Sequence, residues 1–318
     1  MRLINKTAQY AIVVSTLSLA LISGCKTTVE KSVDKHDWAE FTLPKELLEE
    51  GQWELKESNS DSFNYSGKTV GFFNKWHDNH VRGWLGPGAT HFSDEHSDVN
   101  NGYLVLNATP VPEHKQGKTI NYGNFKSKKT IYTGFVTAKS NIEYPVYVEA
   151  SLKISHLALA NNFWMLSDDD RNEIDVTETY GDTVKSASHM SSNYHIFKRD
   201  PETNEMLGDY GHKQGFHETA DKAIFNEGFH RFGFYWKSPT YMEFYLDGEL
   251  VRTLSTSDVL NDPEGKFMDR PMRIIFDMED HVWRARKGIT PALAELNDKN
   301  KNRMFVDWIR TYKPTNVK

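Results

Sequence analysis

The chain is poor in several features that would have directed its reading elsewhere. It holds a single cysteine, Cys25, in 318 residues, so no intrachain disulfide can form. It has no basic cluster: 38 Lys and Arg are interspersed with 44 Asp and Glu, for a net charge of -6. That balance argues against a nucleic-acid partner, which would favour a concentrated basic surface. Long helical periodicity is hard to find, no internal repeat is visible, and no His-Glu-x-x-His signature of a catalytic metal occurs. The apolar run at residues 10–22 is too short for a comfortable membrane span.

That run instead has the form of a secretory signal. Arg2 and Lys6 supply the basic start, and Ser23-Gly24 supply small residues at the cut, immediately before Cys25. The arrangement resembles a bacterial lipobox, in which the cysteine is acylated and becomes the new N-terminus; the alternative is an ordinary signal peptide with an incidental cysteine. A lipid on Cys25 would place the protein at the outer membrane or cell surface, with its folded part outside the cytoplasm. Residues 26–50 are charged and polar and read as a flexible tether. From Trp53 onward the texture changes. Short runs rich in β-branched and aromatic residues, such as Val146-Tyr147-Val148, Phe232-Gly233-Phe234-Tyr235-Trp236 and Met272-Arg273-Ile274-Ile275-Phe276, recur between turn signals. Asp247-Gly248 marks a hairpin, and residues 292–301 have the pattern of a short surface helix. The fold class expected is all-β: a sandwich or barrel formed by residues 51–318. Aromatics make up 13% of the chain, with 8 Trp and 14 Tyr, enough both to fill a core and to face sugar rings.

The sharpest feature is Glu173-Ile174-Asp175-Val176-Thr177-Glu178. In a strand, Glu173 and Asp175 share one face while Ile174 and Val176 share the other. Regular alternation would then bury Glu178, and an unpaired buried carboxylate is costly. A β-bulge near Thr177 would return Glu178 to the face of the other two acids. Two carboxyls about 5 Å apart, one a nucleophile and one an acid/base, are what retaining glycoside hydrolysis requires. Close like charges also raise one pKa, so that one group holds its proton near neutrality. A solvated strand face and a metal site are the other readings of three such acids.

Glu-x-Asp-x-x-Glu on a bulged strand resembles glycoside hydrolase family 16. Asn162-Phe163-Trp164-Met165-Leu166-Ser167, Lys75-Trp76-His77-Asp78, Trp84-Leu85-Gly86-Pro87-Gly88, Asp280-His281-Val282-Trp283-Arg284 and Val306-Asp307-Trp308-Ile309-Arg310 are similar to its bacterial β-agarases, over about residues 52 to 314. The resemblance implies a β-jelly-roll of two curved antiparallel sheets with an open substrate cleft. It implies Glu173 as nucleophile, Asp175 as assisting acid and Glu178 as acid/base, with no cofactor for catalysis. It places Trp76, Trp84, Trp164, Trp283, His195, Glu279 and Arg284 in or beside the cleft, with Asp277 a further polar group there. Core packing is the other role open to Trp76, Trp84 and Trp283, and it is the role expected of Trp308. Arg82 would meet either a sulfate ester or a carboxylate of its own chain. Some relatives carry a structural Ca²⁺, whose ligands here would be the carbonyls of Ser62 and Gly102 and the carboxylate of Asp307. The expected partner is a red-algal galactan: agarose first, then sulfated porphyran, then κ-carrageenan. The chain is expected to be a monomer. A noncatalytic galactan-binding lipoprotein is the alternative from another class, although such a protein would usually have lost one of the three acids.

Overall fold

The computed structural model of the protein describes residues 43–257 and 260–315. The signal segment, Cys25 and the tether up to residue 42 lie outside the described residues. Two antiparallel sheets face each other. The inner sheet runs Met206–His212, Met190–Arg199, Asn172–Tyr180, Ala160–Ser167, Met272–Glu279, Phe135–Ala138 and Trp76–His77. The outer sheet is centred on Val146–Lys153, flanked by His230–Ser238 and by the long strand Arg303–Pro314. One pairing, Thr90–Phe92 with Ile131–Thr133, is parallel. The expected all-β sandwich is therefore the fold. The Asp247-Gly248 hairpin is present too, both residues having the positive φ (51° and 87°) that a two-residue turn of this kind demands.

The core lies between the sheets and follows the period of two. Phe163, Met165, Ile174, Val176, Tyr194, Ile196, Phe276 and Met278 of the inner sheet meet Val146, Val148, Phe232, Phe234, Trp236 and Val306 of the outer one. Each opposite residue of an inner strand faces away from the core, so the alternation that fills the core also loads the concave face with Asn162, Trp164, Glu173, Asp175, Asp277 and Glu279.

Four expectations change. The tether does not extend to residue 50: Lys45–Glu50 is a helical turn, and Leu43 and Leu47 are buried against Tyr147, Tyr235 and Tyr245 on the outer sheet's far face. Trp53 Nε1 donates to the Leu47 carbonyl at 2.7 Å and fixes this segment. Of residues 292–301, only Leu293–Leu296 is α-helical. Trp76 is a core residue and not a cleft residue. Its partner in register is Ala138, which faces inward, so its ring packs on Phe63 and Phe276 and its Nε1 donates to Asp61 at 2.9 Å. Trp308, expected in the core, is only half-buried. Asp307 is the extra residue of a bulge opposite Ser151 and Leu152, which turns Val306 and Ile309 inward and leaves Trp308 under the Arg310 guanidinium.

Removing the Trp76 ring should therefore cost about 3–5 kcal/mol, as for large core aromatics. Trp283→Ala, at a half-exposed ring, should change stability by less than about 0.5 kcal/mol. Urea denaturation of the two variants measures both, and equal losses would contradict this placement.

Candidate active site

The catalytic-strand prediction turns on one residue. Along Ala160–Ser167, Phe163 pairs with Thr177 but Trp164 pairs with Asp175, so Val176 is the extra residue of a bulge. Val176 and Thr177 then both lie toward the core, and Glu178 returns to the concave face beside Asn162. The polar cost of turning Thr177 inward is offset locally: its hydroxyl bonds that of Thr179 at 2.7 Å, which donates onward to the His189 carbonyl.

Two imidazoles divide the acids between them. His195 lies across from Glu173 in register, with Nε2 3.8 Å from Glu173 and 3.5 Å from Asp175. Its Nδ1 is 2.6 Å from Asp209 on the neighbouring strand. Burial opposes charge on this ring, but the hydrogen bonds to Asp175 and Asp209 and the nearby Glu173 outweigh it and push its pKa up to about 11. His195 is therefore an imidazolium at any working pH. At the other end, His281 Nε2 is 2.9 Å from Glu279 and 3.6 Å from Glu178, and Nδ1 is 2.7 Å from the Tyr180 hydroxyl.

Burial, followed by the charge of Asp175, pushes Glu178 up to about 8 against the opposing pull of His281. Burial and Asp175 likewise raise Glu279 to about 8, with Lys129 opposing. Burial and the same neighbour also raise Glu173, while His195 lowers it. Such acids titrate as a set. Of the two glutamates, Glu173 is the one beside His195, whose charge favours its anion against burial and Asp175. Asp277, raised by burial and Glu279, accepts from Asn162 at 2.6 Å and from Trp164 Nε1 at 3.0 Å. Trp164 is thereby fixed as floor and leaves only 7% of its surface exposed.

The cleft opens on both sides of this cluster. Beside Glu173 lies a hollow of ≈ 560 Å³ lined by Trp84, Trp164, Arg82, Phe197 and Arg199. Beside Glu178 lies another of ≈ 430 Å³ lined by Tyr180, His189, Gln214, Phe216 and Trp283. Trp84 and Trp283 are 42% and 50% exposed, as rings awaiting a ligand would be. Arg82 is engaged by its own chain, through an ion pair with Asp170 and a bond to the Asp168 carbonyl. Arg284 is buried, bonded to Asp182 at 2.6 Å and stacked 3.8 Å from the Tyr180 ring centroid, so it shapes the second hollow from beneath. Glu279 is buried behind Glu178.

The expected calcium ligands gain no support. Arg310 donates to the Asp61 carbonyl and to Ser62 Oγ, each at 2.9 Å, which puts a fixed positive charge at one of the three positions. Among the described residues, Glu173, Asp175 and His195 are a group of three acidic or imidazole side chains close enough together to hold an ion.

Sequence reasoning gave no role to His281, Asp209, Tyr180, Asn162 and Phe216, although His281 and Asn162 lie in runs that resemble the family. Tyr180 was within reach, because it follows Glu178 by two on the same strand. Asp209 was not: it meets His195 through pairing of two strands, and its neighbours in the sequence carry no mark of it.

A family model described as Beta-porphyranase A-D, GH16 domain, matches residues 53–314. Beta-agarase AgaB34 of Agarivorans albus is 39% identical over 308 residues, 93% of this chain and 64% of that protein, so the chain spans just under two thirds of its length. The extracellular agarase of Streptomyces coelicolor is 38% identical over 288 residues, 87% of this chain and 88% of the relative. An inactivated mutant of beta-agarase B of Zobellia galactanivorans, solved in complex with agaro-octaose, superimposes with a TM-score of 0.74 at 32% identity, covering 88% of this chain and all of that one.

Turnover that depends on protonated Glu178 falls as pH rises through about 8. A pH profile of kcat/KM on a soluble oligosaccharide checks this; a basic limb near 5, where an unperturbed carboxyl would place it, would contradict the site's electrostatics.

Proposed function

We propose that this chain, which belongs to glycoside hydrolase family 16, is an endo-acting β-agarase that cleaves the β-1,4-galactosidic bonds of agarose with retention of configuration. The observation that carries the reading is the position of Glu173 and Glu178 on one bulged strand, between two hollows each walled by an exposed tryptophan. Hollows on both sides of the acids accommodate sugar units on either side of the cleaved bond, as endo-cleavage needs. Glu173 attacks the anomeric carbon while Glu178 gives its proton to the departing glycosidic oxygen. Water, deprotonated by Glu178, then hydrolyses the glycosyl ester and restores both groups. Asp175 and Asp209 hold His195 beside Glu173, where its positive charge favours the carboxylate form of the nucleophile. The leaving chain lies on the Glu178 side, over Trp283, because that is where the proton is delivered.

Agarose is favoured over its sulfated relative porphyran by charge. Arg82, for which a sulfate ester and a carboxylate of its own chain were both open partners, is paired with Asp170, and Arg199 donates to the Asp170 and Asn204 carbonyls. A sulfate near Glu173 would meet acids and cations already partnered. Digestion of agarose, porphyran and κ-carrageenan, with identification of the reducing-end oligosaccharides, tests the substrate. Agarose should be cut fastest, and Glu178→Gln should slow the reaction by about 10²–10⁴-fold, the usual contribution of a general acid. Preferential release of sulfated products would favour the porphyranase reading, and no cleavage of any of the three would leave the binding-lipoprotein reading.

The enzyme is further proposed to be a monomer anchored by lipid at Cys25 to the outer membrane or cell surface, where intact galactan can reach it. The support is the lipobox-like sequence alone. Labelled palmitate should enter the full-length chain expressed in a bacterium, and Cys25→Ser should lose the label and leave the membrane fraction; label retained by Cys25→Ser would refute the anchor.

A further inference from the structure

The acid/base glutamate changes charge twice in each catalytic cycle, in a cluster already crowded with acids. In the first step the Glu178 proton moves to the glycosidic oxygen, the bond from that oxygen to the anomeric carbon breaks, and a bond from Glu173 to that carbon forms. Glu178 is then a carboxylate, with Glu279 raised by burial and by the same Asp175 that raises Glu178. The two glutamates have His281 Nε2 between them, at 3.6 Å from Glu178 and 2.9 Å from Glu279.

The ring is held from its far side. The Tyr180 hydroxyl is 2.7 Å from Nδ1. Burial and the charge of Glu178 raise the Tyr180 pKa far above its ordinary value, so the phenol stays neutral and holds the ring through that bond. With Nδ1 occupied by Tyr180, Nε2 is the ring nitrogen that faces Glu279 and Glu178. Tyr180 is itself held by the Arg284 guanidinium stacked on its ring. His281 precedes the short helix Val282–Ala285 as its N-cap residue, so its backbone has little freedom.

We propose that His281, held at Nδ1 by Tyr180, is a positioning residue for Glu178: its Nε2 edge, bonded to Glu279 at 2.9 Å and 3.6 Å from Glu178, stabilises the Glu178 carboxylate formed when the leaving group is protonated and holds it as the base for the second step. The groups that face the ring are Glu178 and Tyr180 of the catalytic strand and Asp277, Glu279 and Asp280 of its own strand and the turn after it, with Lys129 behind Glu279. Removal of His281 leaves that acidic group without its donor. Ionised Glu178 becomes harder to form, and the step that needs it as a base, hydrolysis of the glycosyl enzyme, slows more than the step that needs it as an acid.

This inference rests on the reading of Glu178 as acid/base, and the experiment separates the two. His281→Leu, His281→Gln and Tyr180→Phe are compared with the unaltered enzyme on an agaro-oligosaccharide, after thermal melts establish that each variant is folded. In His281→Leu, kcat should fall about tenfold or more with KM nearly unchanged, the basic limb of kcat/KM should move upward, and glycosyl-enzyme should accumulate on acid quench and be seen by mass spectrometry. His281→Gln, whose amide keeps a donor, should recover much of the rate, and Tyr180→Phe should fall between them. An unmoved pH profile in His281→Leu, or a Gln variant as impaired as the Leu variant, overturns the role of His281. A Glu178→Gln variant that still turns over normally would instead overturn the acid/base reading beneath it. Should the Leu variant fail to fold, the ordering of Gln and Tyr180→Phe against the unaltered enzyme decides the matter by the same readouts.

Discussion

Five carboxyl side chains, Glu173, Asp175, Glu178, Asp277 and Glu279, crowd the concave face of a single sheet. Removing even one ionised carboxylate from water is expensive unless a partner meets it. Two devices make the cluster tolerable. Protons are retained, because burial and mutual repulsion raise Glu173, Glu178 and Glu279. Imidazoles are interposed, His195 at the Glu173 end and His281 at the Glu178 end. The surrounding elements serve this arrangement: the Met206–His212 strand brings Asp209 to His195, and the catalytic strand's own continuation brings Tyr180 to His281.

The asymmetry between the two ends is what makes a chemical pair out of two glutamates. His195 has carboxylate partners on both ring nitrogens, which keeps it cationic. His281 has carboxyls on one side and a phenol on the other. An enzyme that must present one ionised and one protonated carboxyl at the same pH needs such a difference in surroundings, because the side chains themselves are identical.

The wider cleft obeys the same economy. Its guanidiniums are mostly committed to the protein's own acids: Arg82 to Asp170, Arg284 to Asp182, Arg273 to Asp168. Much of what remains presented to a ligand is aromatic, Trp84 and Phe197 on one side, Trp283 and Phe216 on the other, the latter with Lys185 and Gln214 beside them. A neutral chain of galactose units, with one apolar face per ring and hydroxyls at its rim, suits such walls better than a densely sulfated one.

Much of this was present in the chain as a pattern of period two. The spacing of Glu173, Asp175 and Glu178 around Ile174 and Val176 required a bulge, because any regular strand would have buried a glutamate. The structure has that bulge, one residue from the place expected, at Val176. The sandwich, the hairpin at Asp247-Gly248 and the floor position of Trp164 were legible for the same reason: local alternation determines which face a side chain takes. The sequence did not decide which face is the cleft at the sheet's edge, so Trp76 and Trp84, eight residues apart and alike in composition, went to opposite destinations. Nor did it decide the partners of the two histidines. His195 meets Asp209, and His281 meets Glu178 and Tyr180 about a hundred residues away, only because particular strands became neighbours. A strand's own alternation is a property of its covalent geometry, whereas the identity of the strand beside it is settled by the packing of the whole sandwich.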